Sequence, residues 1–159
     1  MSGTGDAPRP PALAPFGLLL HHDGRFTHEG QTISNRRLRE HFERSVEYLP
    51  EEQKYIVRLK QFRGQIEVQE AGFFVRSLDL ATGQIVLSDG SREILDVSTL
   101  CASPIDGALL CRVKRECDAH GLLARFSHAT QAEFGQAIEE ENGSYAISIG
   151  GLRQNCPKF

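Results

Sequence analysis

One stretch in the middle of the chain decides the fold: QIEVQEAGFFVRSL, which runs from Gln65 to Leu78. Up to Glu70, apolar and polar residues alternate, which is the period of a β-strand with one face in water. Gly72 then breaks the alternation as a bulge or sharp bend would. The run that begins at Phe73 has the aromatic and β-branched residues of a buried strand. The stretch therefore predicts two strands joined by a kink at the centre of the fold.

The composition is that of a globular protein with an ordinary hydrophobic core. The chain has 159 residues, of which 40% are hydrophobic and 25% charged, and its formal net charge is −3. A single domain of this size can bury a core without disulfides. The negative charge provides no overall attraction for nucleic acid or an anionic membrane. No apolar run approaches the roughly 20 residues of a membrane helix. We therefore expect no membrane partner and do not favour nucleic acid as one.

Two features favour the cytoplasm as the compartment. The N-terminus lacks the basic segment followed by an apolar one that a secretory signal requires. All four cysteines lie in the second half of the chain, where a domain of this size has no need of disulfides. We therefore predict reduced thiols and a cytoplasmic protein. The sequence indicates no cofactor and leaves the oligomeric state open.

Prolines and turn residues divide the chain into one domain and two tails. Residues 1–15 hold four of the seven prolines, which predicts a flexible proline-rich tail. A single α+β domain is expected over residues 16–151, in two halves with a break near residues 80–84. The polar residues 152–159 are expected to form a C-terminal tail.

Two segments have the periodicity of amphipathic helices. Over residues 34–49, apolar side chains recur at spacings of three and four, and Pro50 follows. A second helix is predicted over about residues 127–140, with Asn142 and Gly143 as its left-handed C-cap. Hairpin-linked strands fill the remainder, which predicts an α+β fold with mainly antiparallel sheets. Each half has the order strand, strand, helix, strand, which leaves open two repeated α/β motifs.

Several groups of residues resemble an uncharacterised bacterial family, the domain of unknown function numbered 1285. The similarity is patchy and runs over most of residues 17–151. The residues that carry it are Asp23-Gly24-Arg25-Phe26, His28-Glu29-Gly30, Ile33, Ile66 to Phe73, Leu123-Ala124-Arg125 and Gly150-Gly151. The resemblance implies a two-part α+β fold with repeated motifs, and it implies no activity. A fainter similarity links the chain to an uncharacterised group of the UPF type, which occurs in eukaryotes as well.

The chain departs from the pattern of that family in two places. The family's acidic pair before a proline is replaced here by Gln69-Glu70 before Gly72. Its threonine-proline-glutamate stretch has no counterpart in Leu59-Lys60-Gln61-Phe62. Any function that this stretch carries in the family is therefore in doubt for this chain.

Histidines and carboxylates concentrate near the start of the domain and leave two interpretations open. They are His21, His22, Asp23, His28, Glu29 and His41. Imidazole and carboxylate ligands suit zinc or iron. However, no pair has the i,i+4 spacing of a helical site, and neighbouring residues on a strand point to opposite faces. Scattered surface histidines are the favoured interpretation, and we predict no metal site.

The motifs of common enzymes are absent. The chain has no nucleophile elbow, no phosphate-binding loop and no dinucleotide-binding loop. Lys114, Arg115 and His120 are cations that could lower the pKa of Cys117, although an inert thiol is the favoured interpretation. We therefore favour a non-enzymatic module that binds or regulates a protein or small effector. The alternative is a metal-dependent or thiol-based enzyme that uses the region of His28 and Glu29, or Cys117.

Positive charge accumulates over residues 34–63, which gives a weaker alternative, an RNA-associated protein. No stacking aromatic residues are evident on the same surface. A solvated helix face with internal ion pairs is the favoured interpretation.

The candidate binding residues lie on turns or interrupt apolar strands. They are Asp23, His28, Glu29, Glu70, Arg76 and Arg125. Arg125, flanked by Ala124 and Phe126, needs an anionic partner if it is buried, because an unpaired buried charge is costly. We predict that it meets Glu29, Glu70 or a bound anion in a cleft between the halves. The favoured reading of that contact is an ion pair that locks the halves together, and the alternative is a binding site.

Overall fold

The computed structural model describes residues 14–59 and 62–157, which form two α-helices and fifteen strands. The helices are α1 (Arg36–Ser45) and α2 (His128–Gln136). The strands are β1 (Ala14–Leu20), β2 (Phe26–His28), β3 (Gln31–Thr32), β4 (Val46–Leu49), β5 (Lys54–Leu59), β6 (Phe62–Val68), β7 (Phe73–Leu78), β8 (Gln84–Leu87), β9 (Arg92–Ile94), β10 (Cys101–Ala102), β11 (Leu109–Val113), β12 (Leu122–Phe126), β13 (Ile138–Glu141), β14 (Ser144–Ile149) and β15 (Leu152–Asn155).

The strands are arranged in three sheets. The first large sheet has the order β3-β2-β1-β6-β5-β4, and the second has the order β10-β11-β12-β7-β8-β9. Each large sheet contains one parallel pair, β1 with β6 in the first and β7 with β12 in the second. A small antiparallel sheet is made of β13, β14 and β15. This is the predicted α+β fold with mainly antiparallel sheets, and the similarity of the two six-stranded sheets indicates repeated motifs.

The central stretch is the crossing between the two large sheets. Its strands, β6 and β7, belong to different sheets, so the kink predicted at Gly72 is the point where the chain leaves one sheet for the other. A Cβ atom on Gly72 would lie only 2.4 Å from the ring of Tyr55. Glycine therefore permits the ring to pack directly against the crossing segment. The change of sheet falls at residues 69–72, and not at the break predicted near residues 80–84.

One continuous apolar core joins the two large sheets, and each helix contributes a buried phenylalanine to it. On α1 this residue is Phe42, whose ring centroid lies 5.9 Å from that of Phe26. On α2 it is Phe134, which packs edge-on against Phe126 at 5.7 Å. Full burial of a side chain of this size contributes roughly 1.5–3 kcal/mol. Each helix therefore contributes one buried aromatic side chain from its predicted apolar stripe to the core.

The first helix is shorter than predicted because the chain turns into a strand within its apolar stripe. α1 ends at Ser45, and residues 46–49 form β4, which pairs antiparallel with β5. Val46, which continues the helical stripe in sequence, instead lies opposite Val57 in this pairing. A β-branched residue fits the pleated sheet better than a helix end, so sheet pairing prevails.

The second helix also ends early. Residues 138–141 form β13, and Asn142 with Gly143 makes the tight turn to β14 rather than a helix C-cap. Their φ angles of 52° and 80° are the left-handed values that an Asn-Gly hairpin turn requires. Within the described part of the chain, no helix has the length and apolar character needed to cross a membrane.

The fold extends further at both ends than the predicted tails allow. β1 begins inside the tail predicted for residues 1–15, and β15 lies inside the tail predicted for residues 152–159. Gly150 and Gly151 both have positive φ, and the turn they form brings β15 back along β14. The rest of the predicted N-terminal tail lies outside the described residues.

Candidate functional site

A buried arginine binds a carboxylate where the two large sheets meet. Arg125 lies on β12, and its side chain is only 8% exposed. Its Nη1 donates to Oδ1 of Asp106 at 3.0 Å, and its Nη2 donates to Oδ2 at 2.5 Å. The hydrogen bonds from Arg125 hold the pKa of Asp106 well below its ordinary value of 3.8. Two-bond arginine–carboxylate pairs are the strongest ion-pair geometry, so the guanidinium is largely committed to Asp106.

Glu70 is the second carboxylate beside Arg125, and one of its oxygens lacks a hydrogen bond. The side chain is 6% exposed, and Oε1 lies 3.8 Å from Nη1 of Arg125. Oε2 accepts a hydrogen bond from the hydroxyl of Ser103 at 2.7 Å. Oε1 is buried, and no described residue donates to it. Burying a carboxylate oxygen without a donor costs free energy, so Oε1 is the poorly satisfied atom of this cluster.

The first sheet contributes a histidine and a glutamine to the same cluster. Nε2 of His22 lies 3.7 Å from Oδ2 of Asp106. Nδ1 of His22 lies 2.9 Å from Oε1 of Gln69, which also accepts the backbone amide of His22 at 2.9 Å. Because this amide oxygen can only accept, Nδ1 carries the ring proton. Arg125 is the guanidinium that lies within ion-pair distance of both carboxylates.

Glu70 also lines a cleft between the two large sheets. The cleft has a volume of about 550 Å³, within the roughly 300–1,000 Å³ typical of small-molecule sites. Its other lining residues are Tyr48, Gln53 and Tyr55 on the first sheet's side, and Arg112, Asp118, His120, Gly121, Leu122 and Leu123 on the second sheet's side. A molecule in the cleft would therefore contact both halves of the protein.

Two tyrosines form an aromatic wall of the cleft. Tyr48 on β4 lies opposite Tyr55 on β5, and their ring centroids are 5.0 Å apart. Burial raises the pKa of Tyr55 to about 12, so its phenol is neutral at physiological pH. Across the cleft, Nη1 of Arg112 donates to the carbonyl of Gly121 at 3.2 Å. The cleft thus combines a neutral aromatic wall with the charged side chains of Arg112 and Asp118.

The structure brings together two of the six residues predicted to bind a ligand, Glu70 and Arg125. Asp23 lies in the turn between β1 and β2 and pairs with Arg25 at 2.8 Å. Of the three partners predicted for Arg125, the structure thus shows Glu70, and it adds an unpredicted one, Asp106.

The remaining predicted residues make contacts of their own. The ring centroid of His28 lies 5.6 Å from that of Phe16, and Glu29 lies in the turn between β2 and β3. Arg76 pairs with Glu43 of α1, and its guanidinium lies 5.4 Å from the centroid of the Phe74 ring. These residues are not part of the cluster around Arg125.

The structure also shows the surroundings of the residues that were considered for thiol, metal or RNA chemistry. Burial raises the pKa of Cys117, which opposes the lowering that its cationic neighbours in sequence suggested. Among residues 14–59 and 62–157, no group of three or more histidines, cysteines and carboxylates is arranged to hold a metal ion. In the basic segment, Arg36 pairs with Glu40, and Arg58 pairs with Glu47.

Sequence reasoning missed Asp106, Ser103 and the two tyrosines. Asp106 precedes a glycine, a pattern that predicts a turn and says nothing about a distant arginine. Tyr48 falls in the segment predicted as helix, which hides its pairing with Tyr55. The signal that could have found the pair is Pro50, because a proline between two short apolar segments also fits a hairpin.

A solved structure has the same fold. It is that of a DUF1285 family protein from Silicibacter pomeroyi DSS-3, with a TM-score of 0.62 and 17% identity over 96% of this chain and 88% of that one. A DUF1285 family protein from Shewanella baltica OS155 aligns with a TM-score of 0.49 and 12% identity over 77% of this chain and 91% of that one. No family model and no curated protein match the sequence. The chain therefore has a DUF1285-like fold, as the resemblance implied.

Proposed function

We propose that this protein is a non-enzymatic module that binds a small effector in the cleft between its two large sheets. The observation that carries the proposal is the cleft itself, which has a volume of about 550 Å³ and is lined by residues of both large sheets. Its wall combines the rings of Tyr48 and Tyr55 with polar side chains such as Arg112. A concave, partly aromatic site with a few polar groups is typical of small-molecule binding.

The position of the cleft supports a regulatory role for this binding. Tyr55 belongs to the first large sheet, and Leu123 belongs to the second. A ligand that contacts both is bound only by the native arrangement of the sheets, and it therefore stabilises that arrangement by mass action. A change in effector concentration would then change the stability of the contact between the two halves. A partner protein can respond to that change.

The alternatives have less support in the geometry. The raised pKa of Cys117 does not favour a thiolate nucleophile, and His28 and Glu29 are exposed and lie outside the cleft. The internal ion pairs of Arg36 and Arg58 use charge that an RNA-binding face would present to phosphates. We further propose a cytoplasmic location, because the four cysteines are free thiols, which suits a reducing compartment.

A thermal-shift screen of small molecules against a matched pair of variants tests the proposal. Leu123→Trp places a bulky ring at a half-buried position of the cleft wall. Leu152→Trp makes the same substitution at an exposed position on β15, where the leucine is 61% exposed. We expect compounds that raise the melting temperature of the wild type to act equally on Leu152→Trp and to lose their effect on Leu123→Trp.

Two results would contradict this function. A chemically diverse library that yields no stabilising compound would remove the support for an effector site. Compounds that stabilise Leu123→Trp as well as they stabilise the wild type would show that they bind elsewhere.

A further inference from the structure

We infer that His22 and Asp106 form a pH-sensitive contact, which holds the two large sheets together more tightly when His22 carries a proton on both ring nitrogens. His22 lies in the turn between β1 and β2 of the first sheet, and Asp106 lies in the turn between β10 and β11 of the second. The inference goes beyond the proposed function, because it concerns the contact between the halves and does not depend on which ligand the cleft binds.

The first argument is the surroundings of the two ring nitrogens of His22. Nδ1 lies 2.9 Å from Oε1 of Gln69, and the orientation of that side-chain amide is fixed because the same oxygen accepts the backbone amide of His22. Nε2 lies 3.7 Å from Oδ2 of Asp106. Both nitrogens therefore face oxygen atoms that accept hydrogen bonds. A neutral imidazole can donate from only one nitrogen, whereas an imidazolium can donate from both.

The second argument is the sign of the contact at Nε2. When only Nδ1 is protonated, the ring directs the lone pair of Nε2 toward a carboxylate oxygen, which is unfavourable. A proton on Nε2 converts this contact into an ion pair with Asp106. Oδ2 already accepts a hydrogen bond from Arg125 at 2.5 Å, and a carboxylate oxygen has a second lone pair that can interact with His22. The contact therefore favours the protonated ring.

The third argument is the balance of charge in the cluster and in the turn that carries His22. Apart from His22 itself, three carboxylates and two guanidinium groups belong to this set. They are Asp23 and Arg25 in the same turn, Glu70 in the crossing segment, Asp106 in the facing turn, and Arg125 on β12. Arg125 opposes a positive charge on His22, but both of its terminal nitrogens bind Asp106. A proton on His22 thus brings the whole set to neutrality.

The turn that carries His22 packs against the second sheet, so the contact affects the arrangement of both halves. A Cβ atom on Gly24 would lie 3.6 Å from the ring of Phe74 on β7. The side chains of His22 and Asp106 are 23% and 35% exposed, so the ring can exchange protons with water. Histidine changes its charge at about pH 6.5 when it is unperturbed. A contact of this kind therefore responds to pH within the physiological range.

Stability measured at two pH values tests the inference. Because the contact favours protonated His22, its contribution is present at low pH and is lost as the pH rises and the ring loses the proton. We expect His22→Gln to raise the equilibrium constant for unfolding by a factor about threefold larger at about pH 5.5 than at about pH 8, which is the size of a partly exposed ion pair. Asp106 is ionised at both values because its pKa lies below 3.8. Urea denaturation measures the constants.

A matched substitution controls for the loss of a histidine elsewhere. His41→Gln makes the same change at an exposed position of α1, and its effect on unfolding should be the same at both pH values. Loss of the hydrogen bond between His22 and Gln69 affects both conditions alike, so it cancels when the two pH values are compared.

The affinity of His22 for its proton provides a second measurement. A nuclear magnetic resonance titration of the imidazole signals shows how tightly each histidine binds its proton. We expect Asp106→Asn to weaken proton binding by His22 about threefold or more, since the variant removes the carboxylate and leaves Arg125 in place. His41 serves as the internal control in the same spectra and should be unaffected.

Two results would overturn the inference. One is an effect of His22→Gln on unfolding that is equal at the two pH values or larger at the higher one. The other is a proton affinity of His22 that Asp106→Asn leaves unchanged or strengthens. If Asp106→Asn fails to fold, the comparison of His22→Gln with the wild type decides the question alone.

Discussion

Arg125 and Asp106 form a two-bond ion pair, with Nη1 3.0 Å from Oδ1 and Nη2 2.5 Å from Oδ2. The arginine lies on β12, and the aspartate lies in the turn between β10 and β11. This pair fixes the turn against the sheet and takes up the guanidinium, which leaves Glu70 3.8 Å away without a hydrogen bond on Oε1. The same arrangement therefore fixes the turn and leaves a buried carboxylate oxygen without a donor among the described residues.

Replacing Arg125 should destabilise the protein strongly. Arg125→Met leaves the buried carboxylate of Glu70 without a counterion, and we expect a loss of about 3 kcal/mol in the free energy of unfolding. Urea denaturation measures this loss. As a control, Arg25→Met removes an exposed partner of Asp23, and we expect a change below about 1 kcal/mol. Equal denaturation midpoints for Arg125→Met and the wild type would contradict a structural role for the ion pair.

Acid should remove the contribution of Asp106 to the stability of the folded protein. Its folded pKa lies below the ordinary value of 3.8 because of the hydrogen bonds from Arg125. A group with a lowered folded pKa stabilises the protein above its unfolded pKa and loses that contribution as the pH falls through the folded pKa. We therefore expect Asp106→Asn to be less stable than the wild type at neutral pH, with a difference that shrinks as the pH falls below 3.8. A difference that is independent of pH from neutral to strongly acidic conditions would contradict this assignment.

Adding a methyl group at the crossing between the sheets should disturb both the fold and the cleft. A Cβ atom on Gly72 would lie 2.4 Å from the Tyr55 ring, so we expect Gly72→Ala to destabilise the protein by about 1–3 kcal/mol. Gly135 on α2 has no atom within 4 Å of the same position. Gly135→Ala should therefore be neutral or stabilising by up to about 1 kcal/mol. Thermal denaturation distinguishes the two signs, and a neutral Gly72→Ala would show that the ring does not pack here.

The buried ring of Phe73 should carry a large share of the core stability. It is 1% exposed, and we expect Phe73→Ala to cost about 3–5 kcal/mol. Tyr145 is 54% exposed, and Tyr145→Ala should cost less than about 0.5 kcal/mol. A chemical denaturation series gives both values. Similar costs for the two substitutions would be inconsistent with β7 as a central, buried strand.

All four cysteines should be titratable as thiols. They are free in the structure, and burial raises the pKa of Cys111 to about 12. Protein purified without reductant should therefore show four thiols after denaturation, with Cys111 unreactive until the protein unfolds. A parallel sample treated with reductant provides the control. Two thiols or none would indicate disulfides, and the proposed cytoplasmic location would be wrong.

The sequence predicted the strands and one half of the site, because local patterns record local structure. The alternation around Ile66 and the break at Gly72 are properties of neighbouring residues, and the structure confirms both strands. Arg125 could be identified as a buried cation because apolar residues flank it. Its partner Glu70 was predicted for the same reason, since a buried charge needs an opposite one.

The rest of the site depends on contacts that no local pattern records. Asp106 is separated from Arg125 by 19 positions, and the turn that carries it has an ordinary turn sequence. Val46 fits the end of a helical stripe and the start of a strand equally well, and only its pairing with Val57 decides between them. The aromatic wall follows from that pairing, so predicting a longer helix also hid Tyr48.

The most direct test of the cleft is the location of bound ligand on the protein. In a titration with a stabilising compound from the thermal-shift screen, followed by nuclear magnetic resonance, we expect the largest chemical-shift changes at the rings of Tyr48 and Tyr55 and the methyl groups of Leu123. Leu123→Trp should reduce the changes at the two rings at the same compound concentration. A second pocket lies beside the small sheet, where Ile138, Tyr145 and Cys156 line it. Changes centred on that pocket, or changes spread evenly over the surface, would contradict the cleft as the binding site.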